Sequence, residues 1–314
     1  MQNYSVRKYI PADYPRWNDF ISQAGNATFL FHRDFMEYHQ DRFEDHSLII
    51  EDEKNWVAVL PANRVENVIH SHQGLTYGGL VFKEDLGGNT TIILLASLLD
   101  YLKRNHFQTF FVKPILSFYC HKIFTGIECF LIHKRAELYR KDMNLTISFK
   151  ENYTVSKSKL KHFRRVAALG LEIRQDNDFR AFWREVLEQR LLEKYNAKPI
   201  HSVDEIMYLH SKFPENIKQY NVYFEGEIIA GITLFIFKNG VKSQYGATTA
   251  AGEKMRALDF LFITLIHEYQ NKMAFFDMGT VAENNESGYN PGLLKQKEEL
   301  GCSIYAQDYY SLAL

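Results

Sequence analysis

Cysteine is scarce in this chain, and the scarcity excludes several classes at once. Of 314 residues only Cys120, Cys129 and Cys302 are cysteine. An odd number without metal-type spacing supports neither a disulfide framework nor a zinc site. The expectation is three reduced thiols and a cytoplasmic protein. No His/Cys/Asp set has ligand spacing, so no metal is expected. Long apolar runs are also missing. The best, Phe260–Ile266, falls far short of the roughly 20 residues that cross a bilayer. No apolar stretch follows Arg7, Lys8, Asp13 and Arg16 that would read as a signal peptide. Neither charge sign dominates: 37 Lys and Arg face 38 Asp and Glu, a net charge of -1. Nothing global therefore announces nucleic-acid binding, although a local patch remains open. The Gly-x-Ser-x-Gly elbow of the serine hydrolases is absent. So is any low-complexity linker.

What is present is apolar and aromatic. Hydrophobic residues make up 46% and charged residues 24%, the balance of a globular protein. The 24 Phe and 19 Tyr imply thick cores or grooves that grip ligands. The length suits about two domains. The pattern also repeats. A two-stranded signal runs from Asn55 to Tyr77-Gly78-Gly79, and again from Glu227 to Tyr245-Gly246-Ala247. A polar loop, an apolar helix and a short aromatic strand follow each time. Helix Thr90–Arg104 and helix Arg256–Gln270 start 166 residues apart, as do strands Phe107–Val112 and Met273–Met278. A constant offset is the signature of a duplicated unit.

Local signals fill in the elements. In the first half, strands are expected over Tyr4–Tyr9, Ser47–Glu51 and Trp56–Arg64, with helices over Asp13–Gln23 and Arg33–Gln40. Asp52–Asn55 reads as a hairpin turn. Helix Thr90–Arg104 is apolar almost all round, which predicts burial between layers rather than a wet outer face. Ile123–Tyr139 is read as one or two closing strands. In the second half, Ser156 caps a helix that Gly170 ends. Asp178 caps a long helix with Phe182, Val186, Gln189 and Leu192 on its inner side. Val203–Lys212 is a short helix, and a meander follows, turned at Glu225-Gly226 and Asn239-Gly240. Asn290, Pro291 and Gly301 mark the start and stop of a last helix. The boundary is placed near Asn144–Tyr153, giving domains 1–148 and 149–314.

Strand, two helices, antiparallel meander, helix, strand, helix, strand: this order resembles the GNAT acyltransferase fold. Two such units in tandem resemble the FemABX peptidyltransferases. The α/β fold class is thus a pair of GNAT-like units with mixed, mostly antiparallel sheets flanked by helices. Ser156-Lys-Ser-Lys-Leu-Lys-His-Phe-Arg-Arg-Val-Ala-Ala-Leu-Gly-Leu-Glu-Ile resembles the family's basic helix running to Gly and a strand. Phe276-Asp277-Met278-Gly279 resembles its Phe-Asp-Phe-Gly strand end, and Lys297-Glu-Glu-Leu300-Gly301 its Lys-x-x-Phe-Gly motif. Gln296 stands where members often place an aromatic residue. The resemblance implies transfer of an acyl or aminoacyl group from an acyl-CoA or an aminoacyl-tRNA to an amine. The acceptor would be a small-molecule or nucleotide-linked one, a cell-envelope precursor or a sugar of a surface polysaccharide. It implies a degenerate first unit and a working second one. GNAT enzymes that use acetyl-CoA hold its pyrophosphate on a Gln/Arg-x-x-Gly-x-Gly/Ala loop. Here the segment after Ala247 reads Thr-Thr-Ala-Ala-Gly-Glu-Lys-Met, and that motif is absent. The rival reading is a ligand-binding protein that has kept the fold without the chemistry.

Candidate residues concentrate in the second unit. Lys297 lies on the apolar side of the last helix, four residues after Leu293. A lysine there either snorkels outward or meets an anion, because an unpaired buried ammonium is costly. Asp277 ends an aromatic strand. It is either a cap on the following loop or a base whose pKa the apolar setting raises. Tyr245, Gly246 and Ala247 sit where a GNAT sheet splays and offers N–H groups to an acyl carbonyl; Tyr77 is the first unit's equivalent and reads as packing. Arg256 and Gly279 complete the candidate substrate-binding set. The basic run Lys157, Lys159, Lys161, Arg164 and Arg165 is either a solvated face or an anion-binding surface, with Leu160 and Phe163 turned inward.

Overall fold

The structure is a computed structural model that describes residues 4–82, 87–120 and 126–314. The chain divides into two compact units. One comprises Met1–Asp142 with Ala306–Leu314; the other is Met143–Tyr305.

In the second unit, strands Glu172–Asp176, Ile217–Phe224, Glu227–Ile236 and Gly240–Thr248 run antiparallel in that order. Strand Phe275–Thr280 joins parallel to the last of them and antiparallel to residues 144–148. Its parallel entry requires a crossover, supplied by helices Ala250–Met255 and Ala257–Tyr269. Helix Ala257–Tyr269 buries Phe260, Leu261, Phe262, Ile263, Leu265 and Ile266. A helix apolar on so many sides belongs between layers, as its sequence predicts.

The first unit follows the same plan. Strand Val68–His70 pairs in parallel with Thr109–Val112 across helix Gly88–Arg104. Strands Ser5–Lys8, Leu48–Asp52, Asn55–Leu60 and Val81–Phe82 form a second sheet. The duplication shows in the register. Phe110 lies between Ile69 and Leu312 as Phe276 lies between Val241 and Ile147.

Side-chain caps hold the helix starts, at Ser156 and Asn290 as expected and at Ser202 as well. Ser156 accepts from the Lys159 amide at 3.2 Å, and Ser202 and Glu205 close a capping box on helix Val203–Lys212. Asn290 accepts from the Leu293 amide, and Gly301 takes φ +99° just past helix Pro291–Glu299. Tyr77 is fully buried and donates to Thr28, a packing role.

Four expectations are corrected. The first concerns Ile123–Tyr139. Residues 123–125 lie outside the described residues, Gly126–His133 is helical, and a strand begins only at Glu137. Short apolar runs of this kind suit either element, and packing on helix Gly88–Arg104 decides. The second concerns helix Gly88–Arg104, which is buried along one face only; Ile92 is exposed. The third concerns the helix after Asp178. Phe182 and Val186 are buried, but Gln189 and Leu192 face solvent. Phe182–Leu187 is a π-helical segment. One extra residue in a turn rotates everything after it by about 100°. The fourth concerns Lys159, which is buried rather than solvated, for reasons given below.

Candidate active site

Strands Gly240–Thr248 and Phe275–Thr280 pair in parallel only as far as Lys242 and Asp277. Beyond that point they part. A register shift at Thr233/Leu234 bulges the first strand at Gln244 and adds to its twist. From Ser243 onward one edge of this strand faces a cleft of about 740 Å³ instead of a neighbour. Ser243, Gln244, Gly246, Ala247 and Thr248 line it.

The cleft has two kinds of wall. Leu187, Leu191, Phe262, Met278, Leu293 and Leu300 make an apolar side. Arg190, Lys194, Lys254, Arg256 and Lys297 bring five cations, against Glu253 and Asp259. That excess suits a ligand with an apolar part and an anionic part. Glu253 holds Arg190 and, at 3.3 Å, Lys194 across the cleft mouth.

Lys297 neither snorkels nor stands unpaired. It is 8% exposed, and its Nζ donates to the carbonyls of Gly279 (3.1 Å) and Thr280 (2.9 Å). An ammonium has three donors, so one remains for the cleft that this side chain lines. Burial first, then the neighbouring Lys242, lower its pKa to about 8; Asp277 opposes them. Arg256 takes φ +59° at the start of helix Ala257–Tyr269 and lies 3.7 Å from Asp259. Asp259 also accepts from Lys159 at 2.6 Å and from Gln296 at 3.3 Å. This buried ion pair is why Lys159 leaves the wet face of its helix.

Asp277 does not line the cleft; its carboxylate is 1% exposed and fully engaged. It accepts from Asn144 (2.8 Å), Thr146 (3.2 Å), Lys242 (3.0 Å) and the Gly279 amide (2.7 Å). Gly279 takes φ +73°, and a Cβ there would meet Lys242 Nζ at 3.1 Å. Asp277 and Gly279 thus hold the strand end, and through it the two carbonyls that grip Lys297. Tyr245 points away from the cleft. Its hydroxyl meets His201 Nδ1 at 2.6 Å, and its ring packs edge-on to Trp183 at 4.8 Å. Burial pushes its pKa up to about 12. Of the seven residues singled out in the sequence, Gly246, Ala247, Arg256 and Lys297 meet in the cleft; Asp277, Gly279 and Tyr245 support it from behind. Arg190, Lys194 and Asp259 were not foreseen. Nothing in their local sequence separates them from ordinary surface charges.

No family model matches the chain, and no curated protein matches it. Solved structures do. FemX superposes with a TM-score of 0.69 at 11% identity, covering 99% of this chain and 97% of its own. The chain has the FemABX-like fold of two tandem GNAT units. The C-terminal domain of a putative lysylphosphatidylglycerol synthetase from Agrobacterium fabrum has a TM-score of 0.60 at 10% identity, covering 96% and 91%. A tandem GNAT protein from the clavulanic acid biosynthesis pathway has 0.54 at 8%, covering 99% and 98%.

On this FemABX-like frame the segment after Ala247 is closed on itself. The Gly252 amide donates to Thr249 Oγ1 at 3.1 Å, and the Glu253 amide to the Thr249 carbonyl at 2.8 Å. A Cβ on Gly252 would lie 2.2 Å from the Ile229 carbonyl oxygen. The glycine is there for close approach of helix to strand. Gly252→Ala should cost about 1–3 kcal/mol through forced separation. Urea denaturation measures it, and a loss below about 0.5 kcal/mol would mean the helix shifts freely. Among the described residues no group of acidic, histidine or cysteine side chains could hold a metal ion. No described helix is long and apolar enough to cross a membrane.

Proposed function

We propose that the second unit is an acyl-transfer centre that moves an aminoacyl group from an aminoacyl-tRNA ester to an amine. The observation that carries this reading is the freed strand edge at Ser243–Thr248, standing over a cationic cleft with Lys297 in its wall. The acyl carbonyl sits against that edge, where backbone N–H groups of the Gly246–Ala247 stretch stabilise the tetrahedral oxyanion. The amine attacks the carbonyl carbon directly. The ester oxygen leaves as a ribose hydroxyl and takes a proton from the Lys297 ammonium. The proton lost by the attacking amine returns to Lys297 or to water, so no covalent enzyme intermediate forms. Positioning within the cleft supplies much of the acceleration.

Two observations favour an aminoacyl-tRNA over an acyl-CoA. The segment after Ala247 lacks the glycine-rich motif that holds a coenzyme pyrophosphate, and its Gly252 amide is taken up by Thr249 Oγ1. Arg190, Lys194, Lys254 and Arg256 give the cleft a broad cationic rim that fits a nucleic-acid backbone. For the acceptor we favour an amine of a cell-envelope precursor or a surface-polysaccharide sugar, in keeping with the likeness to FemX. The first unit is then a companion that has lost the transfer chemistry.

The test is consumption of donor in the presence of amine acceptors, with aminoacyl-tRNA and acyl-CoA supplied separately. Turnover of the former alone is expected. Turnover of acyl-CoA alone would sink the donor assignment, and binding without turnover of either would leave a ligand-binding protein. Lys297→Met keeps the stem and removes the charge. It should weaken transition-state binding by roughly 1.5–3 kcal/mol, one lost charged hydrogen bond, with the fold intact by circular dichroism. Because the ammonium is the working form, the rate should fall as pH rises through about 8. The Met variant should lose that limb. A wild-type rate that climbs through pH 8 would reverse the assigned role.

A further inference from the structure

A second pocket belongs entirely to the first unit. It encloses about 300 Å³. Tyr9, Met36, Phe43 and His72 give it an apolar and aromatic wall, and Lys8, Arg33, Glu37 and Asp45 bring charge. Arg33 is its fixed point. The side chain is 3% exposed, and the guanidinium lies over the Tyr9 ring at 4.0 Å. Nε donates to Glu37 Oε1 at 2.8 Å, and Nη1 donates to Asp45 Oδ1 at 3.2 Å and to Ser47 Oγ at 3.1 Å.

These bonds leave capacity on both sides. A guanidinium has five N–H donors, and the two on Nη2 have no partner among the described residues. Glu37 Oε2 and Asp45 Oδ2 accept from no described donor. The Lys8 ammonium, exposed at the rim, makes no bond to a described residue. His72 Nδ1 is buried without a hydrogen-bond partner, on a ring 5.6 Å from that of Phe43. Buried donors left unpaired are costly, and here they share one pocket.

Charge decides what fits. Lys8 and Arg33 are offset by Glu37 and Asp45, so no excess of either sign draws in a simple anion or cation. The pocket offers both signs together, beside an apolar wall. A ligand with a carboxylate and an ammonium on one carbon, next to an apolar body, meets all of these and keeps the pocket neutral. We infer that this pocket binds a free α-amino acid with an apolar or aromatic side chain. Its carboxylate pairs with Arg33 Nη2 and Lys8, and its ammonium with Glu37 Oε2 and Asp45 Oδ2. Its side chain packs on Met36, Phe43 and His72. The inference does not depend on the transfer reaction assigned to the second unit.

The probes are L-phenylalanine, 3-phenylpropionate and phenethylamine. They share one body and carry both charges, the carboxylate alone and the ammonium alone. Calorimetric titration of the full chain should show binding of L-phenylalanine. Each single-charge analogue should bind roughly 10- to 100-fold more weakly, because one charged hydrogen-bonding group is lost. Arg33→Lys keeps the charge without the fork and should weaken L-phenylalanine by a similar factor. Glu37→Gln keeps the shape at a half-exposed position, so it answers even where the Arg33 variant fails to fold. It should weaken L-phenylalanine and leave 3-phenylpropionate unchanged. Lys297→Met should bind L-phenylalanine as the parent does, which separates this pocket from the cleft. No binding of L-phenylalanine in the millimolar range, equal binding of either analogue, parental affinity in Glu37→Gln, or loss of binding in Lys297→Met would overturn the proposal.

Discussion

Asp277→Ala should lower the unfolding free energy of the second unit by about 3–5 kcal/mol, the penalty for breaking one side of a buried ion pair. Lys242 is 7% exposed and its ammonium sits 3.0 Å from the Asp277 carboxylate. Removing the acid strands that charge in a low-dielectric setting. The Asn144, Thr146 and Gly279 donors lose their acceptor together. Removing both charges is a different matter. Lys242→Met combined with Asp277→Leu leaves no buried ion, so a large part of the loss should return. Urea denaturation of the two single variants and the double closes the cycle. A single variant within about 1 kcal/mol of the parent would mean that water reaches the pair. A double variant no better than Asp277→Ala would mean that the hydrogen bonds, rather than the charge, carry the cost.

A second large effect is acid lability of the first unit. His46 is 8% exposed, packs edge-on to Phe107 at 5.0 Å, and neither ring nitrogen has a hydrogen-bond partner among the described residues. Burial first, then Lys8 and Arg64, lower its pKa to about 4. Burial, with His39 and Arg33, lowers that of His72 to about 3. Both are neutral in the fold at pH 7, and both would take up a proton near pH 6.5 in the unfolded chain. Below that value the unfolded state binds more protons than the folded one. Stability is therefore intact above about pH 6.5 and is lost as pH falls toward 4. Each histidine contributes about 1.4 kcal/mol per pH unit in that window, so the pair costs about 5 kcal/mol at pH 4.5. His46→Leu removes one of the two without breaking a hydrogen bond. It should flatten the pH dependence by about half, read from denaturation midpoints between pH 7 and 4.5. A parent whose stability is level over that range would show that the imidazoles are hydrated.

Some features needed only short stretches of sequence. Ser156, Ser202 and Asn290 cap helices because their side-chain oxygens reach amides three residues on. Gly170 and Gly301 stop helices because each accepts a positive φ. The crossover helix was legible because Ala257–Tyr269 is apolar on most sides. The two-unit plan was legible because duplication keeps a constant offset. Within the cleft, Gly246, Ala247 and Arg256 were marked by their places at the ends of such elements, and Lys297 by its place on the apolar side of the last helix.

The rest depended on residues far apart in the chain. Lys159 and Asp259 are 100 positions apart, and only their meeting turns a surface lysine into a buried one. Asp277 could have been a base or a brace; Asn144 and Lys242, at 133 and 35 positions' remove, made it a brace. Tyr245 faces His201 and Trp183 because a bulge on its strand sets which side chains look into the cleft. Periodicity and caps are local, so the chain alone determined most of the elements and their duplication, while packing decided Gly126–His133 and the π-helical turn at Phe182–Leu187. Burial of a charge is a balance between desolvation and a partner, and only the tertiary structure supplies the partner.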